Sequence, residues 1–280
     1  MLEELRELDD LLAGNIKPLD VQRYVTSKVT ANGLAFSAKT VTHADPTPKE
    51  RDLFFVGYGH FGTAKQDMPI FSDFAANIIQ FEIGPNRIIK APRHDGEDFY
   101  IDPSGADDVV QLLKTAQRSN VTVSLLLSPH YFPGWALEKY PDLNHYKGGF
   151  LKYAIHHPMA EKIIKAYLQT LIPLVKDSPA LHSICLTNEP VYTDSSRDRF
   201  TQQRWATYLK KQHRTLENLN ELYDASYTAF SQVPIPRFDV SNQTPIYYDW
   251  CQFNDERFAG WHQWMIDIIH AIKPDLPCHA

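Results

Sequence analysis

Apolar positions along this chain follow two different periods. Leu2, Leu5, Leu8, Leu11 and Leu12 fall at helical spacing and predict a helix that Gly14-Asn15 ends. From Val21 to Thr42 the pattern shortens. Val25, Val29, Leu34 and Phe36 sit among polar residues around an Asn32-Gly33 turn, which predicts one or two strands. The stretch from His43 to Asp52 carries two prolines and five charged residues and reads as a linker. Residues 1–50 are therefore expected to be a helix plus hairpin with too little core to stand alone. They read as the tail of a preceding domain, or as a flap on the next.

From Asp52 short apolar runs alternate with helical patterns, the arrangement of a parallel α/β fold. The predicted strands are Leu53–Gly57, Asn77–Ile83, Val121–Leu127 and Ala180–Leu186. Between them lie a short helix over Asp67–Ala76, a helix over Gly105–Ser119 capped by Ser104, and a long helix that opens at Pro158. The last buries Met159, Ile163, Ile164, Leu168, Leu171, Ile172 and Val175, and Pro173 is expected to kink its final turn. Helices are predicted over Arg199–Arg214, Leu216–Tyr223 and about Tyr248–Ile272, with a Pro-rich loop from Val233 to Pro245. Cys278-His279-Ala280 looks like a fifth strand beginning. A (β/α)8 TIM barrel needs eight such units in roughly 250 residues. Residues 51–280 supply four and the start of a fifth, so they are expected to form an incomplete barrel from a longer protein.

Composition narrows the function more than the fold. Of 280 residues, 43% are hydrophobic and 12% aromatic, ample for a globular core. The formal net charge of −6, without a Lys/Arg-rich block, disfavours nucleic acid or an anionic membrane as partner. Cys185, Cys251 and Cys278 lie far apart in apolar contexts and read as buried free thiols. His43 and His156-His157 lack ligand spacing, so no metal and no cofactor is expected. Gly57-Tyr58-Gly59-His60-Phe61-Gly62 fits GxGxxG formally, but no helix opens from it. No stretch approaches a membrane span, and the acidic start lacks a signal-peptide layout, which points to the cytoplasm.

The chemistry gathers at the predicted strand ends. His60 follows the first strand, Glu82 ends the second, His130, Tyr131 and Trp135 follow the third, and Asn188 and Glu189 the fourth. Pro190 cannot donate to a ladder and stops that strand. In a parallel barrel this is the active face. A carboxyl beside an amide suits sugar chemistry, where the acid protonates a leaving oxygen and the amide holds a ring hydroxyl. Each residue alone has a plainer reading. His60 and His130 can be core histidines, Trp135 a packing residue, and Glu82 a partner for Arg87 or Arg93. Together, four successive strand ends favour a sugar site. Tyr192, just past the pair, joins it as a substrate-binding candidate.

The order of these motifs resembles the catalytic barrel of glycoside hydrolase family 42, the β-galactosidase-like members of clan A. The matching pieces are Asn77–Gly84, Gly96–Asp102, Pro133-Gly134-Trp135 with Tyr140–Leu143, Thr187-Asn188-Glu189, Trp205–Lys210 and Leu216–Asn220. The resemblance covers about residues 52–280. It implies Glu189 as general acid/base and Asn188 as binder of the sugar 2-hydroxyl. It also implies a glutamate nucleophile at the end of a seventh strand, which this sequence does not reach. The cysteine cluster that holds zinc in the family is absent, since Val191 to Phe200 contains no Cys.

The resemblance thus implies a retaining glycosidase, β-galactosidase-like, acting on an oligosaccharide or glycoside, with a homo-oligomer among its expected assemblies. Glu189 would work with a second carboxylate about 5 Å away, and residues 1–280 alone are expected to be inactive. Two rivals stand beside it. One is a barrel that binds carbohydrate without catalysis; the other is a clan relative acting on another glycan, such as an algal or plant polysaccharide.

Overall fold

The computed structural model describes residues 2–17, 20–59, 63–144, 151–189, 199–236 and 244–280. The chain divides into two compact units: Met1–Gln80 with Leu113–Val123 and Ser178–Ala180, and Phe81–Leu112 with Ser124–Asp177 and Leu181–Ala280.

The first unit opens with helix α1, Leu2–Leu12, at the predicted place. Its apolar stripe is uncovered, with Leu5, Leu8 and Leu12 exposed. Strands β1 (Arg23–Tyr24), β2 (Thr30–Asn32), β3 (Ala35–Val41) and β4 (Lys49–Leu53) form an antiparallel sheet in which β3 pairs with the other three. Gly33, at φ 62°, takes the left-handed turn between β2 and β3 that its lack of a Cβ permits.

Strand β4 corrects the linker predicted over His43–Asp52. Its charges are satisfied along the ladder: Ser37 donates to Glu50 at 2.8 Å, and Arg51 reaches Asp45 at 2.8 Å and the Thr40 carbonyl at 2.5 Å. An edge strand made of charged residues resists pairing with another chain. Alternating charge carries no apolar period, which is why it was not predicted as a strand.

The predicted strand Leu53–Gly57 is also divided. Leu53 finishes β4, and β5 is only Gly57–Tyr58. Between them Asn77 stands in for a ladder: its Oδ1 accepts from the Val56 N–H at 2.9 Å, and its Nδ2 donates to the Phe54 carbonyl at 2.8 Å. Helix α2 (Ala64–Asp67) runs into a 3-10 turn over Met68–Phe74, where one short helix was predicted. Strand β6, Ile78–Glu82, pairs in parallel with β5, Gly57 opposite Ile78. A Cβ on Gly57 would lie 1.7 Å from the Ile78 carbonyl oxygen, so only glycine allows this approach. Asn77 is 3% exposed. Asn77→Ala should cost about 2 kcal/mol of stability, read by denaturant unfolding, because two backbone groups lose their partners.

In the rest of the chain β7 (Ile89–Lys90) and β8 (Tyr100–Ile101) make a small antiparallel pair that was not predicted. A 3-10 turn over Pro103–Ala106 leads into α3, Asp107–Arg118. The cap there is Asp102, whose carboxylate accepts from the Ser104 N–H at 3.2 Å, and not Ser104 itself. Then come β9 (Thr122–Leu126), α4 (Gly134–Lys139), α5 (Pro158–Val175) and β10 (Leu181–Cys185). Last are α6 (Arg199–His213), α7 (Leu216–Tyr223), α8 (Pro245–His270) and β11 (Cys278–His279). His157 caps α5, its Nδ1 accepting from the Met159 N–H at 3.0 Å.

The five strands of the parallel sheet lie in the order β11-β10-β9-β6-β5. Strand β9 is buried along its whole length, as a strand covered on both faces must be. On the inner face of α5 Ile163, Ile164, Leu168, Leu171, Ile172 and Val175 are buried as predicted, whereas Met159 in the first turn is only half-buried. A second core gathers Trp205, Tyr208, Leu209, Leu219, Val233, Trp250 and Phe253 from α6, α7, α8 and the loop before α8. Burial pushes the Tyr208 hydroxyl up to about 12, with Asp249 adding to the effect. An unfolded tyrosine ionises near 10, so the unfolded state binds fewer protons above that pH and stability should fall from about pH 10 upward. Thermal melts between pH 8 and 11.5 would show this.

Cys185 is buried, Cys251 and Cys278 are half-buried, and all three are free thiols. Among the described residues no helix is long and apolar enough to cross a membrane.

Candidate active site

Backbone hydrogen bonds bring the carboxyl ends of four strands to one level. The Ile83 N–H donates to the Leu126 carbonyl at 3.0 Å, Leu127 to Cys185 at 2.9 Å, and Leu186 to His279 at 2.8 Å. The residues that follow, Glu82 to Gly84, Ser128 to Tyr131 and Thr187 to Glu189, therefore leave the sheet side by side.

At the end of β6, Glu82 is held from the neighbouring strand end. Ser128 donates to its Oε2 at 3.0 Å, and the Tyr131 hydroxyl lies 3.4 Å from its Oε1. Burial, then the charge of Glu82, raises the Tyr131 hydroxyl above its ordinary value, so it stays a neutral donor. The His130 ring lies against Tyr131 with centroids 4.2 Å apart. The structure thus joins Glu82, His130 and Tyr131 in one cluster with Ser128, which sequence reading had not singled out. Of the arginines suggested as partners for Glu82, Arg87 bonds to Asp108 at 2.8 Å and Arg93 stacks on the Tyr100 ring at 3.3 Å. The Trp135 indole lies 3.4 Å from the Ile89 carbonyl and is half-buried, in keeping with its plainer reading as a packing residue.

At the end of β10, Thr187 is buried, Asn188 half-buried and Glu189 exposed. Glu189 has φ 43° and Ser128 φ 40°, so both strand ends turn through a left-handed residue that is not glycine. Such a backbone costs about 1–2 kcal/mol, and strain of this kind gathers where a side chain has to be aimed. Thr187 is tied down by α8: its Oγ1 lies 2.9 Å from His262 Nε2, and His262 Nδ1 lies 2.9 Å from the Phe258 carbonyl. The carbonyl can only accept, so Nδ1 carries the proton and Nε2 accepts from the threonine hydroxyl. Burial lowers the His262 ring below its ordinary value and keeps it neutral. Sequence reading missed His262, since one histidine on an amphipathic helix gives no sign of a partner 75 residues away.

His60 and Tyr192, both predicted to bind substrate, lie outside the described residues, as does Pro190. Among the described residues no three His, Cys, Asp or Glu side chains gather closely enough to hold a metal ion.

A parallel sheet with carboxylates, an amide, a tyrosine and a histidine at its carboxyl ends defines an α/β fold with an enzyme-like rim. The chain belongs to glycoside hydrolase family 42: the family's sequence profile, described as beta-galactosidase, matches residues 63–280. Among solved structures, an exo-carrageenase of that family from Bacteroides ovatus aligns over 99% of this chain and 36% of its own, at 21% identity and TM-score 0.71. The cold-adapted β-galactosidase of Rahnella sp. R3 aligns over 81% of this chain and 35% of its own, at 18% identity and TM-score 0.65. A β-galactosidase from Bacillus circulans sp. alkalophilus aligns over 80% and 36%, at 18% identity and TM-score 0.64. Identities this low speak for the fold. The chain spans about a third of the length of these structures. No functionally curated protein matches the sequence significantly.

Proposed function

We propose that these residues are the acid/base-bearing part of a retaining glycoside hydrolase, with Glu189 as general acid/base and Asn188 on the sugar 2-hydroxyl. The observation that carries this reading is the Asn188-Glu189 pair at the carboxyl end of β10, in a chain that belongs to family 42. Glu189 protonates the glycosidic oxygen as a second carboxylate attacks the anomeric carbon from about 5 Å away; then, ionised, it takes a proton from the water that releases the sugar. That second carboxylate lies outside residues 1–280 in the full-length protein, and residues 51–280 are the first part of a (β/α)8 barrel. Residues 1–50 act as a flap or as the tail of another domain. Among the described residues the sheet ends at β5, and a closing strand of a barrel would pair with that edge, which supports the barrel reading.

The leading substrate is a β-galactoside. A second reading, a polymeric algal galactan, is favoured by one difference: the carrageenase aligns over 99% of this chain, whereas β-galactosidases of the family align over 80% to 92%. The full-length protein should hydrolyse nitrophenyl β-galactoside or carrageenan oligosaccharides with retention at the anomeric carbon, followed by proton NMR. Inversion would overturn the mechanism. Binding without turnover of either substrate would make the protein a carbohydrate-binding barrel.

A further inference from the structure

The left-handed backbone at Glu189 persists only where its neighbours hold it. The ladder bond from the Leu186 N–H to the His279 carbonyl, at 2.8 Å, lies three residues before it. Closer to it is Thr187, which is buried and held at both of its side-chain and carbonyl oxygens. Its hydroxyl donates to His262 Nε2 at 2.9 Å, and its carbonyl accepts from Cys185 Sγ at 3.5 Å. A thiol is a weak donor, so the tie to His262 is the firmer of the two.

His262 is built as a fixed acceptor. Its Nδ1 gives its proton to the Phe258 carbonyl one turn earlier in α8, at 2.9 Å, which leaves Nε2 for Thr187. The ring stands edge-on to Phe258 and to Trp261, with centroids 4.5 and 5.3 Å away. Trp261 and Met265, on either side of it along the helix, are buried and seat this part of α8 in the core. The tie therefore runs from a strand end to a seated helix. A side chain locked by packing and by a second hydrogen bond is the kind of support that holds a reacting group within about 0.5 Å of its geometry.

Thr187 and Glu189 are separated by one residue, so a shift of the first passes to the second through two stiff, planar peptide units. A general acid has to bring its proton within hydrogen-bond reach of the leaving oxygen, and a misplacement of about 1 Å can cost about 10²-fold in rate.

We infer that Thr187 and His262 are positioning residues, and that α8, through their bond, sets where Glu189 presents its carboxyl. This rests on the general-acid reading of Glu189 given above. The plainer alternative is a bond that packs α8 on the sheet and stabilises the fold without touching the reaction.

The test uses the full-length protein with methyl and nitrophenyl β-galactoside, each read as kcat/KM, which reports the step in which the leaving group departs. Thr187→Val keeps the side-chain shape and removes the hydroxyl; His262→Phe keeps a ring and removes the acceptor. Each should lower kcat/KM at least about tenfold for the methyl galactoside, and less than about threefold for the nitrophenyl galactoside, whose leaving group needs no proton. Partial unfolding lowers both by the same factor, so the ratio of the two losses reads positioning even where a variant is destabilised. Thr187→Ser keeps a hydroxyl and His262→Gln an acceptor, and both should bring the ratio back toward wild type. The double variant Thr187→Val/His262→Phe should lose no more than the larger single loss. Equal losses for the two substrates in both single variants, or additive losses in the double variant, would overturn the inference. Glu189→Gln, run in parallel, separates the two proposals. A loss there that depends on the leaving group, beside wild-type ratios in Thr187→Val and His262→Phe, sinks only this one. Equal losses for both substrates in Glu189→Gln sink the acid role of Glu189, and the positioning roles with it.

Discussion

Glu189→Gln in the full-length protein is expected to lower kcat/KM for an alkyl glycoside by about 10³-fold, the contribution typical of a positioned general acid. That corresponds to about 4 kcal/mol of transition-state stabilisation. The loss should depend on the leaving group. A nitrophenolate departs without a proton, so the first step should suffer far less for a nitrophenyl glycoside, and an added small nucleophile such as azide, which needs no general base, should restore turnover in place of water. Equal losses for both substrates, carried by KM, would instead make Glu189 a binding residue. The amide keeps the shape and one acceptor of the carboxyl, so the left-handed backbone at Glu189 is not disturbed.

Why Glu189 was legible in the sequence and His262 was not follows from what each signal consists of. A buried strand announces itself by a run such as Leu181 to Cys185, and a polar pair immediately after it falls at the strand end whatever the neighbours do. The helix α5 was equally plain, because its apolar period and a Pro at its start agree. Strand β4 had no such period, only alternating charge whose partners on β3 appear once the chain has folded. Glu82 was visible as a strand-end residue, but its Ser128 and Tyr131 partners are fixed by register between β6 and β9. Contacts set by register or by helix packing, such as Thr187 to His262, leave no trace in local spacing. The missed parts are therefore the contacts that hold the strand ends.

The largest stability effect is expected at Asp249, a carboxylate 4% exposed on α8. Its Oδ2 takes the Tyr223 hydroxyl at 2.5 Å and His213 Nε2 at 2.7 Å, so one oxygen ties α7 and the end of α6 to α8. Burial, then the bond to Asp249, holds the Tyr223 hydroxyl well above its ordinary value, which keeps it protonated as a donor. The cluster borders the core of Trp205, Trp250 and Phe253, so water cannot readily replace a lost partner. Asp249→Ala leaves a phenol and an imidazole facing a void, and should cost about 3–6 kcal/mol, two hydrogen bonds to a charged group at about 1.5–3 kcal/mol each. Asp249→Asn fills the space and can still accept one of the two bonds, so it should cost roughly half as much. Tyr223→Phe in the Asp249→Ala background should then be nearly neutral, because the stranded hydroxyl is removed with its partner. Urea unfolding of the four proteins closes this cycle. If Asp249→Ala and Tyr223→Phe were simply additive, the hydroxyl–carboxylate bond would carry no stability of its own.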